Sequence, residues 1–345
     1  MEKLKRYAKN NPMAVVMVVL LVLGVLLPLF LNKAYVLSIL CMTVYVAGCS
    51  LAWSILGGMI GQISLGHGAF AAIGAYIGTV FITYFNTSPW IAMAVSFVVV
   101  GATITLLMTP CFGLKGAYFS LTTIAFGEAF RNIFTNWEYV GAGQGMMLPL
   151  VRAKDESLWM LAFRSKASYY YVGLVLLVVF YLIVKWIDGS KLGYALKTIR
   201  EDEGTAEAIG IKPIKYKLIA TFISTGMVSV MGVFYATYIR YISPELMLQS
   251  KSLEFVLPAV IGGISTVEGP VLGSLIIVPL SQYLNSALGS KLPGSNLVVY
   301  ALILIVVVLF RPSGLLGWWQ EQRQKKRIAA EKAELGEEGK EQVNG

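Results

Sequence analysis

Apolar residues in this chain do not alternate with polar ones; they run together. Apolar stretches cover residues 13–31, 34–56, 67–85, 90–111, 118–134, 168–186, 218–241 and 297–310, and a longer one at 253–288 is interrupted by Gly and Pro. A helix that crosses a bilayer needs about 20 such residues. The pattern therefore predicts an all-α polytopic membrane protein with eight to ten transmembrane helices, some of them broken. One polar segment, 188–217, stands apart. Leu192, Ala195, Leu196, Ile199, Ala206 and Ile209 recur there at three- and four-residue steps, against a face carrying Lys197, Arg200, Glu201, Asp202, Glu203 and Glu207. Such an amphipathic helix, fixed at both ends to membrane spans, can dock on a protein and pass motion to the spans. The same pattern also suits a solvated loop helix with ordinary charge pairs.

Glycine marks a second informative region. Gly57, Gly58, Gly61, Gly66 and Gly68 crowd into an apolar setting together with Gln62, Ser64 and His67. Each Gly weakens a helix by about 1 kcal/mol relative to Ala, so the chain is expected to break there, and broken backbone at membrane depth must be buried in protein or face water. Gly74-x-x-x-Gly78 beyond it offers a small-residue face for close helix contact. A similar pattern returns at 258–273, with Gly262, Gly263, Ser265, Glu268, Gly269 and Gly273. Paired interruptions in two halves of a membrane protein suggest an internal repeat with the transport path between its copies. Gly61, Gln62, Ser64, Gly66, His67, Thr122, Thr123, Gly262, Gly263 and Ser265 are the candidate pathway residues. The glycines can equally serve packing alone, and His67 can equally cap a helix.

Composition agrees with a bilayer: 57% hydrophobic residues, 14% charged and a mean hydropathy of +0.69 over 345 residues, where soluble domains carry roughly a quarter charged. The net charge of +9 does not point to nucleic acid, because its cations flank the spans. Lys3, Lys5, Arg6 and Lys9 precede the first run; Lys185, Lys191, Lys197, Arg200, Lys212, Lys215 and Lys217 lie in or beside 188–217; Arg311, Arg323, Lys325, Lys326 and Arg327 follow the last. Under the positive-inside rule these are cytoplasmic flanks. The organisation expected is a basic N-terminus at 1–12, a permease domain at 13–310 and a charged cytoplasmic tail at 311–345. Five crossings put 136–167 outside and a sixth returns 188–217 to the cytoplasm. A cytoplasmic tail then requires 253–288 to cross twice, bending near Gly262 and Glu268, which favours ten crossings.

Candidate chemistry is sparse. Cys41, Cys49 and Cys111 match no metal spacing, and His67 is the only histidine, so neither a metal site nor any cofactor is expected. No Gly-x-x-x-x-Gly-Lys-Ser/Thr phosphate loop or Gly-x-Ser-x-Gly elbow exists in the chain. Glu128 and Arg131, three apart, would share a helix face and pair. Arg240, Glu254 and Glu268 are read as snorkelling at span ends or breaks. The shortage of carboxylates argues against an ion-coupled secondary transporter, and the lack of a His/Glu/Asp constellation argues against a membrane-embedded enzyme.

Four stretches carry a family resemblance: 61–76, Gly116-Ala-Tyr-Phe-Ser-Leu-Thr-Thr-Ile-Ala-Phe126, 199–211, and Leu309-Phe-Arg-Pro-Ser-Gly-Leu-Leu-Gly317. In this order, across nearly the whole chain, they resemble the permease subunits of ABC importers for branched-chain amino acids, of the LivM type. The resemblance implies a multi-pass subunit of the bacterial inner membrane, working by alternating access and not itself an enzyme. It implies as partners a second related permease, two cytoplasmic ATP-binding subunits and an extracytoplasmic substrate-binding protein. It also places the coupling helix at Ala206 to Gly210. With the amphipathic stripe, the expected ATPase-docking residues are Leu196, Ile199, Glu203, Ala206, Glu207, Ala208, Ile209 and Gly210. Gly204 departs from the better helix former expected at its position and is expected to bend that helix. Permeases for urea, amides or other amino acids share these motifs and are the alternative. A weak, largely apolar passage with no fixed charge is expected for the substrate.

Overall fold

The structure, a computed structural model, describes residues 12–30, 33–114, 116–149 and 156–288, with 314, 316, 317 and 322. The basic residues before 12, the run 297–310 and nearly all of the tail 311–345 lie outside the described residues. The helices are α1 (Pro12–Phe30), α2 (Ala34–Ser54), α3 (His67–Phe85), α4 (Pro89–Met108), α5 (Ala117–Asn136) and α6 (Lys166–Asp188). They continue as α7 (Lys191–Glu201), α8 (Glu203–Ala208), α9 (Pro213–Ile239), α10 (Gln249–Gly263) and α11 (Gly269–Leu288). Two short strands, β1 (Met146–Met147) and β2 (Tyr241–Ile242), pair antiparallel. The chain is an all-α polytopic membrane protein. Among the described residues, five helical spans are long and apolar enough to cross a bilayer: Ala34–Ile60, His67–Phe85, Pro89–Cys111, Lys166–Asp188 and Pro213–Ile239.

The termini of these helices follow from local chemistry. Pro89 starts α4 behind Ser88, whose hydroxyl accepts from Trp90 N, a Pro-first, Ser-capped start that uses up an otherwise orphan N–H. Ser165 and Ser190 cap α6 and α7 in the same way. The interior is built by small residues. A Cβ at Gly74 would run into the Ser229 carbonyl, and one at Gly232 into the Ala71 carbonyl, so α3 and α9 touch backbone to backbone. Around that contact the wholly buried Phe70, Tyr76 and Phe234 fill the core, while Trp53 is buried in a second cluster with Val256 and Ala259.

The β1–β2 pairing fixes direction. It brings the segment after α5 to the same end of the bundle as the segment after α9, while α7 and α8 lie at the other end beside the turn after α2. Tyr35, near the start of α2, donates to Ser286 Oγ at 2.9 Å on the last turns of α11. Residues 249–288 therefore run down and back, turning between Gly263 and Gly269, where the sequence placed the bend. The first leg differs from the expected plain span. The chain leaving α9 turns back into the bundle: a Cβ on Gly127, midway along α5, would lie 3.7 Å from the Met247 carbonyl. Gly68 N donates to Ser252 Oγ at 2.9 Å. Helix α10 thus begins among α3 and α5, inside the bundle.

Candidate functional site

The first break is real and is held by hydrogen bonds from its neighbours. Helix α2 ends in a π-helical turn, Ile55–Ile60, a rare form that concentrates at functional sites, and Gly61 then takes φ +80°, a left-handed conformation natural to glycine. The non-helical residues after it are held by neighbours. Trp53 Nε1 donates to the Ser64 carbonyl at 2.7 Å, Ser120 Oγ to the Ile63 carbonyl at 2.6 Å, and Leu65 N to Thr123 Oγ1 at 2.9 Å. His67 is wholly buried, with Nδ1 at 2.9 Å from Ser64 Oγ and Nε2 at 2.9 Å from Ser224 Oγ. Both ring nitrogens are occupied, so His67 braces the start of α3 against α9. Thr122 hydrogen-bonds its own helix at the Tyr118 carbonyl, 2.8 Å away. Gln62 Oε1 is buried without a partner among the described residues. Such a group is costly to desolvate unless something binds it.

The second break lies against the first. Gly263 has φ +130°, and Thr266 Oγ1 donates to its carbonyl at 2.9 Å while accepting from Gly269 N at 3.1 Å. A Cβ at Gly262 would run into the Gly269 carbonyl, and one at Gly58 into the Ile264 carbonyl. The two glycine clusters are thus in direct backbone contact. Gly314, from the fourth motif, packs on Gly263.

The polar segment does not form the single helix expected. Asp202, at φ −159° and ψ 121°, ends α7 and caps α8, accepting from Thr205 N at 2.6 Å. The bend therefore falls at Asp202, two residues before Gly204, because an Asp side chain supplies the new N-cap. The apolar stripe also divides. Leu196, Ile199 and Ala206 are buried in the chain's own core, whereas Ile209 is 67% exposed and Glu207, Ala208 and Gly210 are open around it. Leu196, Ile199 and Ala206 consequently cannot contact an outside protein in this arrangement; they anchor the segment. Glu203 turns inward as well. Lys217, 3% exposed, donates to both Glu203 carboxylate oxygens and to the Phe112 carbonyl, each at 2.9 Å.

Arg200 joins the three regions. Its Nη1 donates to the Gly58 carbonyl at 2.6 Å and to Ser265 Oγ at 3.0 Å, so one guanidinium on α7 holds both breaks. Beside it lies a polar cavity of about 310 Å³, bounded by Ser54, Asp188, Lys197, Arg200, Ser265 and Thr266, with Lys197 paired to Asp188 at 2.6 Å. Nothing in the apolar and polar pattern singled out Arg200 from its charged neighbours. The signal present was its position, last before Glu201 and Asp202 on a helix whose other face is buried.

The snorkelling expected of three residues is not what the structure shows. Glu268 is 8% exposed and accepts from Lys185 at 2.8 Å and Tyr181 at 3.1 Å. Arg240 donates to the Pro149 carbonyl and to Tyr169, and Glu254 pairs with Lys251. Glu268 and Arg240 found partners across the fold, which a reading along the chain does not reveal, whereas Glu254 and Lys251 stand three residues apart on α10. Glu128 and Arg131 do pair, with Arg131 Nε 2.9 Å from Glu128 Oε2.

The family described as the permease component of the branched-chain amino acid transport system matches residues 35–307, which run from the second residue of α2 through α11 and include both breaks. The chain belongs to that family. This permease is 26% identical over 335 residues to the high-affinity branched-chain amino acid transport system permease protein LivM of Escherichia coli K12, covering 91% of this chain and 77% of the relative. It is also 26% identical to the LivH permease protein of the same strain, over 78% of this chain and 90% of that one. A probable LivM from Methanocaldococcus jannaschii is 25% identical over 63% of this chain and 64% of its own length. No solved structure matches. As a transport subunit, this permease is not itself catalytic.

Proposed function

We propose that the chain is the membrane-spanning subunit of an ATP-driven importer of leucine, isoleucine and valine in the bacterial cytoplasmic membrane. The observation that carries this beyond the family is Arg200, which ties the exposed segment α7–α8 to both glycine breaks. Two ATP-binding subunits dock on the open edge at Tyr194, Glu207, Ala208 and Ile209, with Gly210 letting the chain turn away. Their closure on ATP displaces that edge, and Arg200 transmits the displacement to Gly58 and Ser265, rocking the half-helices that begin or end there. Substrate enters from a binding protein at the opposite end, where 136–149 and 156–165 lie, and leaves through the polar cavity beside Arg200. The substrate contributes only its difference in affinity between the two facing states.

A second, related permease completes the path. Glu128 and Arg131 lie in the second half of α5, with their side chains 48% and 29% exposed. An exposed ion pair is expensive against lipid and is tolerated against protein or water. Reconstitution of the whole assembly in vesicles tests the reading: ATP-dependent uptake of leucine is expected, and Arg200→Ala should lower uptake more than it lowers ATP hydrolysis. Uptake of urea or an amide, with no aliphatic amino acid transported, overturns it.

A further inference from the structure

Lys251 and Glu254 are the two charges a linear reading leaves at the edge of an apolar run, yet α10 begins inside the bundle and carries them in with it. Lys251 Nζ donates to Glu254 Oε1 at 2.8 Å. Neither side chain has another hydrogen-bond partner among the described residues, and they are 40% and 21% exposed. They face a small cavity, about 20 Å³ in this conformation and so room for a single water, whose other walls include Met42, Tyr45, Tyr235 and Leu246. Tyr45 is 8% exposed and packs on Tyr235 with ring centroids 4.9 Å apart. At about 1.5 Å of rise per residue, Tyr45 stands about 16 Å from the Ala34 end of its span, so the cavity lies at membrane depth. Ser252, between the two charges, accepts from Gly68 N at 2.9 Å, which links the cavity to the first break.

An ion pair at that depth is expensive and marks a functional site by default. From this arrangement we infer that Lys251 and Glu254 form a recognition site for the zwitterionic backbone of an α-amino acid. The inference rests on the proposed function and gives it a place in the molecule. A zwitterion is net neutral, as the pair is, so it can insert between the partners without leaving either charge bare. Its carboxylate accepts from Lys251 Nζ and its ammonium donates to Glu254, while an aliphatic side chain lies against Met42, Leu246 and the ring faces of Tyr45 and Tyr235. The cavity must widen to admit it, and separation of the pair is the movement that widens it. Urea and simple amides carry no charges to exchange for the broken pair. The expected apolar passage without fixed charge is replaced by a site with two.

The test uses the complete assembly with its binding protein and ATP-binding subunits in vesicles, comparing the unaltered chain with the uncharged double variant Lys251→Gln, Glu254→Gln. The double variant should lose leucine uptake by about tenfold or more, the size expected when charged hydrogen bonds are removed, while ATP hydrolysis stimulated by the binding protein persists. A diazirine analogue of leucine, photolysed during turnover, should label peptides from α2 and α10 in the unaltered assembly and not in the variant. Unchanged uptake and unchanged labelling overturn the site while leaving the importer intact. Loss of ATP hydrolysis together with uptake, and no labelling of α2 or α10 in the unaltered protein, assigns the pair to folding and overturns it too. Absence of leucine uptake by the unaltered assembly instead removes the importer reading, and the site with it.

Discussion

At the scale of single residues, the glycines divide by what a methyl group would meet. Gly74 and Gly232 sit where a Cβ collides with the carbonyls of Ser229 and Ala71, whereas a Cβ on Gly113 meets nothing within 4 Å. Backbone carbonyls in packed helices do not give way as a flexible side chain does. Gly232→Ala should therefore destabilise the protein by about 1–3 kcal/mol, the usual range for overpacking, and Gly113→Ala should leave it unchanged. Thermal unfolding of the purified chain in detergent reads the difference directly. Gly24 stands in an apolar run yet is not free of neighbours: its carbonyl accepts from Tyr170 at 2.9 Å, and a Cβ there would press on the same hydroxyl at 3.2 Å. Sequence shows that a glycine stands within an apolar run, but not which neighbour it faces.

At the scale of elements, the distinction between a docking face and an anchoring face decides what the polar segment does. Period alone put Leu196, Ile199 and Ile209 on one stripe, and the period was right for α7. It failed at Ile209, which lies just past the end of α8 at Ala208 and turns outward, while Ala206 stays buried with the stripe. Leu196→Asp buries a charge at a wholly enclosed position, so it should abolish folded, membrane-inserted protein. Ile209→Asp, at 67% exposure, should leave the folded yield intact and weaken capture of the ATP-binding subunits in pull-downs. Equal yields for the two variants would contradict this division. The spans themselves were legible because long apolar runs permit little besides a transmembrane helix. The start of α10 was not, since a chain that re-enters the bundle through residues 240–248 has the composition of a surface connection. For that reason Glu254 read as snorkelling at the end of a span.

At the scale of the whole molecule, the described residues leave one side of α5 open. Tyr118 and Leu121 are 72% and 62% exposed on the helix that carries the Glu128–Arg131 pair, whereas the exposed Val98 and Leu106 of α4 lie on a helix without charge. The second permease should cover the first surface and lipid the other. Single cysteines at Leu121 and at Val98 separate the two: Leu121→Cys should form a crosslink to a cysteine scanned along the partner permease, and Val98→Cys should not. Crosslinking of both or of neither would leave the α5 face without its assigned role.

The backbone contact between α3 and α9 has a mechanical consequence. Helices that meet through side chains can slide, because rotamers rearrange as the ridges pass. Where carbonyl rests on Cα with no side chain between, sliding or rolling meets hard repulsion within a fraction of an ångström. Two long helices then share one set of rigid-body coordinates, and the bundle loses the degrees of freedom that would let them separate. Alternating access has to be carried by what remains, namely the segments hinged at Gly61 and Gly263, with the α3–α9 pair as the stationary frame against which they turn.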